Sequence, residues 1–260
     1  MSEQEIISQY FSHHQYCKNI DIGIGDDAAV VTPPEGSRLV ITTDTLNEGV
    51  HFHTDCLPEH LGHKVLAVNL SDLSAMGAAP LWGTINLSLP RIKHDWLEKF
   101  TQGLFTLADQ HNIKIVGGDL VKGPLSISMQ VIGYLNTKKV LTRASAEIGD
   151  LIYVTGTIGD AALGLQLNDL EKNIGFSQSD KDHFYLRFNK PEPRINLGLE
   201  IVKYANAAID ISDGLLNDLQ HILSMSGVGA VVDTEKIPFS MAVQRQMENI
   251  QNWSALLFGG

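Results

Sequence analysis

Seven aspartates stand in company that ordinarily excludes charge. Asp26 and Asp27 lie in GIGDDAAVV, Asp44 follows the apolar run LVITT, Asp72 sits within NLSDLSAMG, Asp119 follows IKIVGG, and Asp210 and Asp213 fall in IDISDG. Few cations accompany them. Aspartate is disfavoured in helix interiors and in strands alike, so its recurrence beside apolar runs asks for a chemical reason. Two unit charges about 4 Å apart repel by roughly 4 kcal/mol at an effective dielectric near 20, and if these side chains converge something positive must sit among them. All the candidate ligands are hard oxygens, which favour magnesium, manganese or calcium over zinc or copper. Magnesium keeps several waters and is completed by substrate phosphates, which fits aspartates delivered singly from separate elements. No EF-hand spacing is present. Residue type and placement therefore predict a phosphate-handling, metal-dependent site.

Apolar periodicity indicates which elements carry these acids. Residues 38–43 read as a buried strand ending at Asp44, and 113–116 as another, closed by a turn at Gly117 and Gly118 ahead of Asp119. Both carboxylates are expected at strand ends. Leu61, Val65 and Val68 recur at helical spacing, and the same face continues through Asp72 to Met76. Asp72 thus stands where a hydrophobic residue is expected, a placement that costs several kcal/mol unless the group is paired, protonated or metal-bound. Leu97, Phe100, Leu104 and Leu107 mark an amphipathic helix, and residues 125–135 alternate as a strand. The polar segment 136–150 carries Lys138, Lys139 and Arg143 and reads as a junction between a domain at 1–137 and a second at 138–260. In the second, strands are expected at 151–155, 207–211 and 229–233, with helices opening near Gly159 and Asp160, after Pro193, and over 214–224. The fold class is α/β (α+β) in two domains.

Bland readings stand beside the sharp ones. Asp210 and Asp213 also suit a solvated loop in which Ser212 or Asp213 caps the next helix, and Asp26 and Asp27 suit a polar turn. GIGDDA at 23–28 satisfies G-x-G-x-x-A, but carboxylates in that turn oppose a pyrophosphate unless a metal intervenes. No G-x-x-x-x-G-K-[ST] is present, so any ATP must be held through metal and backbone. His51 and His53 have strand spacing but no further His or Cys set for zinc, leaving a single histidine touching a ligand. No G-x-S-x-G supports a serine hydrolase.

Composition narrows the classes. With 19 Lys and Arg against 30 Asp and Glu the formal charge is 19 − 30 = −11, which argues against nucleic acid as a partner. The chain of 260 residues is 43% hydrophobic, enough to bury a core. The charge-free stretch 73–90 includes Ser74, Gly77, Pro80 and Gly83, a poor composition for a bilayer span, so no membrane is expected. Residues 1–11 carry Glu3 and Glu5 and lack the pattern of a secretory leader. Cys17 and Cys56 have neither metal nor redox spacing and suit unpaired thiols in a reducing cytoplasm.

Six segments in order resemble one family. They are GIGDDAAV (23–30), ITTDTLNEGVHF (41–52), KVLAVNLSDLSAMGAAP (64–80), IVGGDLVKGPLSIS (115–128), LTRASAEIGDLIYVTGTIGD (141–160) and AIDISDGLLNDL (208–219). Each alone is weak; together they resemble thiamine-monophosphate kinase, in the superfamily of aminoimidazole ribonucleotide synthetase and selenophosphate synthetase. The resemblance implies an N-terminal sheet domain that pairs with a second subunit as a dimer barrel, and a C-terminal α/β domain closing the active site. It implies ATP-dependent phosphorylation of thiamine monophosphate to thiamine diphosphate with several magnesium ions, in a homodimer. By position in the motifs, Asp27, Thr42, Thr43, Asp44, Asp72, Asp119, Asp210 and Asp213 look like the metal set. Gly118, Asp119, Arg143 and Ser212 look like nucleotide contacts, and His51 looks like a substrate contact; Asp72, Asp119, Asp210 and Arg143 carry the catalytic expectation. The family continues past the position of Gly260 with an acidic pair, a substrate-facing Glu and an aromatic residue, so a shortened C-terminal part is expected. Rival readings are another ATP-dependent synthetase of the same superfamily, a metal-dependent phosphohydrolase, and a calcium-binding module.

Overall fold

The computed structural model describes residues 3–12, 19–171, 174–247 and 249–250. A short helix α1 (Glu3–Tyr10) precedes a two-stranded antiparallel pair, β1 (Ile20–Ile22) and β2 (Val30–Val31). The main sheet follows, built from β3 (Arg38–Asn47), β4 (Ala79–Leu89), β5 (Lys114–Lys122) and β6 (Ser126–Leu135) in the order β3-β6-β4-β5. Helix α2 (Pro58–Ala75) connects β3 to β4, and α3 (His94–Gln110) connects β4 to its parallel neighbour β5.

Alternation makes the sheet one-sided. Ile127, Met129 and Val131 of β6 and Ile85, Leu87 and Leu89 of β4 are buried against the helices. Leu61, Val65, Leu70 and Leu73 of α2 and Leu97, Phe100, Leu104 and Leu107 of α3 complete this core, each such burial stabilising by roughly 1.5–3 kcal/mol. Pro58 suits the first position of α2, where its missing N–H leaves no bond unmade. The two helices touch backbone to backbone at Gly103, where a Cβ would run into the Glu59 carbonyl. The second half adds α4 (Asp160–Leu170), α5 (Gln178–Asn189), α6 (Ile195–Ile201), α7 (Leu215–Ser226) and α8 (Met241–Gln246). Helix α2 is the pivot, with one side on β3 and β6, another on α3, and contact with α6.

The helices expected from Leu61, from Leu97, near Gly159, after Pro193 and over 214–224 all form, as does the strand over 125–135. Four expectations are corrected. The first strand runs to Asn47, so Asp44 lies inside it rather than at its end, because every residue of β3 finds a partner on β6. That strand is a half-exposed edge and not buried. The pair Gly117 and Gly118 is no turn: β5 runs through both and through Asp119, with a register irregularity opposite Gly83 and Thr84. The segments 151–155, 207–211 and 229–233 form no ladder; the nearest feature is the single bridge from Thr142 to Ala207. β-propensity needs neighbours to act upon, and Tyr153 and Val231 stand 82% and 96% exposed. Helix α5 was unforeseen; it starts at Ser177, whose hydroxyl accepts the Asp180 N–H at 3.1 Å. Cys56 is a free thiol, whereas Cys17 and the chain end at 257–260 lie outside the described residues. No described helix is long and apolar enough to cross a membrane.

Candidate active site

Register decides which aspartates can meet. Asp44 pairs with Met129 and Thr42 with Val131, both buried on the helix side, so the two side chains share the face covered by α2. There the Thr42 hydroxyl donates to Asp72 Oδ2. Burial, then the charges of Asp72 and Asp210, push the Asp44 carboxyl up to about 6. Asp210, from the loop before α7, is raised as well, by burial first and then by Asp72, while a hydrogen bond with Ser71 works the other way. Asp72 of α2 thus bears on both Asp44 of β3 and Asp210 of that loop. Among the described residues no three Asp, Glu, His or Cys side chains stand close enough to hold an ion unaided. The donor chemistry nonetheless suits magnesium, which takes one or two carboxylates and fills its shell with water and phosphate oxygens.

The loop bearing Asp210 is held by a residue absent from the sequence-based set. Asp218 is 3% exposed, and its Oδ2 accepts the N–H groups of Ser212 at 2.9 Å and Asp213 at 3.1 Å. Ser212 and Asp213, anchored through their backbone amides, are exposed. The signal was there: Asp218 is a carboxylate on the apolar face of α7, beside Leu215 and Leu219. Upstream, the Thr142 carbonyl accepts the Ala208 N–H at 3.2 Å, and the Arg143 carbonyl accepts from the Ser226 hydroxyl at 2.8 Å. Arg143 therefore has a pinned backbone and an exposed side chain.

The remaining candidates lie elsewhere. Thr43 and Asp119 fall on the opposite, open face of the sheet by alternation, since Leu120 packs on the helix side and Gln130 donates to Thr43 Oγ1 at 3.3 Å. Asp119 Oδ1 accepts the Leu120 N–H at 2.9 Å. Gly118 before it has φ 154°, and a Cβ there would strike the Ile85 carbonyl, so only glycine fits this crossing. Asp27 is exposed, its N–H bonded to Asp26 Oδ1 at 2.9 Å. His51 is exposed in the turn after β3, with Nδ1 accepting the Asn47 N–H at 3.1 Å. A crevice of about 360 Å³ beside His63, His111 and Arg194 is lined by none of these residues.

Comparison with known proteins gives this arrangement a family. The description "AIR synthase related protein, N-terminal domain" matches residues 25–135, and its C-terminal counterpart matches 147–256. A thiamine-monophosphate kinase of Buchnera aphidicola is 44% identical over 257 residues, 97% of this chain and 79% of that protein. The chain belongs to the thiamine-monophosphate kinase family. Within that family, the Stenotrophomonas maltophilia kinase structure aligns at 44% identity with a TM-score of 0.86, covering 94% of this chain and 78% of that one. AaThiL complexed with AMPPCP and TMP aligns at 36% identity with a TM-score of 0.79, covering 91% and 76%. The thiamine-monophosphate kinase fold is thus present in both its domains, with Asp44, Asp72 and Asp210 where β3, α2 and the loop before α7 meet.

Proposed function

We propose that this chain transfers the terminal phosphoryl group of ATP directly onto the phosphate of thiamine monophosphate, giving thiamine diphosphate and ADP, as the last step of thiamine diphosphate formation in the cytoplasm. The observation that carries the reading is that Thr42 of β3 donates to Asp72 of α2 on the face Asp44 shares, where the charge of Asp72 raises both Asp44 and Asp210. Family membership supports the choice of acceptor, and the AaThiL complex with AMPPCP and TMP supports both ligands.

Asp44, Asp72 and Asp210, with Thr42, would hold magnesium, and Asp27, Thr43, Asp119 and Asp213 are the further ligands proposed for additional ions. When bound, magnesium draws two anions together and offsets the charge that grows on the bridging oxygen. The protein supplies position. Thr42 fixes the Asp72 carboxylate, and Asp218 fixes the loop from which Asp210, Ser212 and Asp213 arise. The Arg143 guanidinium can fork onto a phosphate, a fit Lys lacks. Gly118, Asp119 and Ser212 complete the nucleotide side, and His51 the acceptor side. The acceptor oxygen is already ionised at neutral pH, so no strong base is required and in-line alignment carries the rate.

Residues 1–137 are the proposed ATP, magnesium and dimer domain, and 138–260 the domain that closes the cleft. The open face of the sheet is the proposed homodimer surface, where Leu39 and Ile41 remain 47% and 59% exposed. The test is incubation of the full chain with thiamine monophosphate, ATP and magnesium, with chromatographic identification of products. Thiamine diphosphate and ADP in equal amounts are expected; free phosphate without thiamine diphosphate would contradict the reading.

A further inference from the structure

Lys64 is a buried cation that the carboxylate site leaves unused. It is 6% exposed and, among the described residues, makes no ion pair. Its Nζ donates to the His51 carbonyl at 2.8 Å and stands 3.3 Å from the centroid of the Phe188 ring. Phe188 belongs to α5, so one ammonium joins α2, the turn after β3 and the second half of the chain. Burial holds that ammonium down to about 8, the mark of a group kept where water would serve it better. The same seam has other stitches. His53 Nε2 lies 2.9 Å from the Leu165 carbonyl of α4, and the Cys56 thiol donates to Asn189 Oδ1 at 3.4 Å.

The turn so clamped fixes the protonation of an exposed ring. His51 Nδ1 accepts the Asn47 amide, which can only donate, so a neutral His51 carries its proton on Nε2. The ring then offers an N–H donor to an anion. We propose that Lys64 is a positioning residue for the acceptor phosphate: it holds the His51 carbonyl against α5, and so keeps the turn in the shape in which His51 presents Nε2–H. The identity of the anion rests on the phosphotransferase reading; the geometry of the turn does not.

The test compares the full-length wild type with Lys64→Met, Lys64→Arg and Phe188→Leu. Two readouts are taken: the ¹⁵N signature of the His51 ring, assigned with His51→Asn, and the KM values for thiamine monophosphate and ATP. Lys64→Met is expected to lose the Nε2–H preference and to raise the acceptor KM about tenfold with the ATP KM within about twofold. Phe188→Leu should move both readouts the same way, and Lys64→Arg, which keeps a cation able to donate and to stack, should restore the acceptor KM to within about threefold. A folded Lys64→Met with the wild-type His51 signature and acceptor KM overturns the proposal. If the wild type transfers nothing to thiamine monophosphate, the reaction assignment falls and the ¹⁵N signature alone decides: a changed ring upholds the role of Lys64, an unchanged ring ends it. Should Lys64→Met fail to fold, Phe188→Leu carries the same comparison.

Discussion

The Thr42 hydroxyl donates to the carboxylate of Asp72, tying the edge strand β3 to the last turn of α2 at the point where Asp44 and Asp210 also press. A neutral hydroxyl relieves only part of that crowding. What remains is a site that resists its own charge, and this has measurable consequences.

Replacing Asp72 by Asn keeps the shape and a partner for Thr42 while removing one charge. Phosphoryl transfer should fall by at least about a hundredfold at saturating magnesium, since stabilisation of the transferring group by bound metal is worth several kcal/mol. The thermal midpoint should not drop. Unchanged turnover would remove Asp72 from the site.

Asp44→Asn should stabilise the protein when divalent ions are chelated, by about 1 kcal/mol, because it removes repulsion from Asp72 and Asp210 in a half-buried setting. Magnesium should then stabilise the variant less than the wild type. Chemical denaturation with and without magnesium checks both signs.

Asp218 lies outside the proposed ligand set, yet it holds two amides of the loop that bears Asp210. Asp218→Ala should cost about 1–3 kcal/mol through two part-buried amides left without their charged acceptor, and should weaken nucleotide binding. Calorimetry with a non-hydrolysable ATP analogue reads the second effect. Wild-type nucleotide affinity in a folded variant would show that the loop needs no such anchor.

Burial pushes the Cys56 thiol up to about 11. A raised value favours the protonated form in the folded state, so its stabilising share is whole below pH 9 and is lost as pH climbs through 11. At pH 8 the folded protein should alkylate slowly at Cys56, whereas the denatured chain should react as an ordinary thiol. Peptide mass mapping after timed iodoacetamide treatment distinguishes the two.

Much of this architecture was legible because periodicity is local. The 3.6-residue spacing of Leu61, Val65 and Val68 and the alternation over 125–135, broken only at Ile132 and Tyr134, each specify an element without outside help. The segments at 151–155 and 229–233 look equally strand-like, but a ladder needs a neighbour, which their own residues do not encode. Helix α5 went unseen because QSDKDHFYLRFN opens with six polar residues and bunches its apolar ones at 184–188 without helical spacing, although the Ser177 cap was readable. For the site, residue type exposed all seven aspartates, but only ladder register separates Asp44 from Thr43 and Asp119 on the other face. Lys64 and Asp218 escaped because what makes them matter is burial and a partner remote in sequence.

Asp44, Asp72 and Asp210 are proposed to hold a divalent ion that brings the nucleotide to the acceptor. Electron paramagnetic resonance of manganese, titrated into the full chain with a non-hydrolysable ATP analogue, tests it most directly. The wild type should bind manganese at least about tenfold more tightly than Asp72→Asn, a difference of about 1.4 kcal/mol. Equal manganese affinity in the two proteins would remove Asp72 from the ion's ligands.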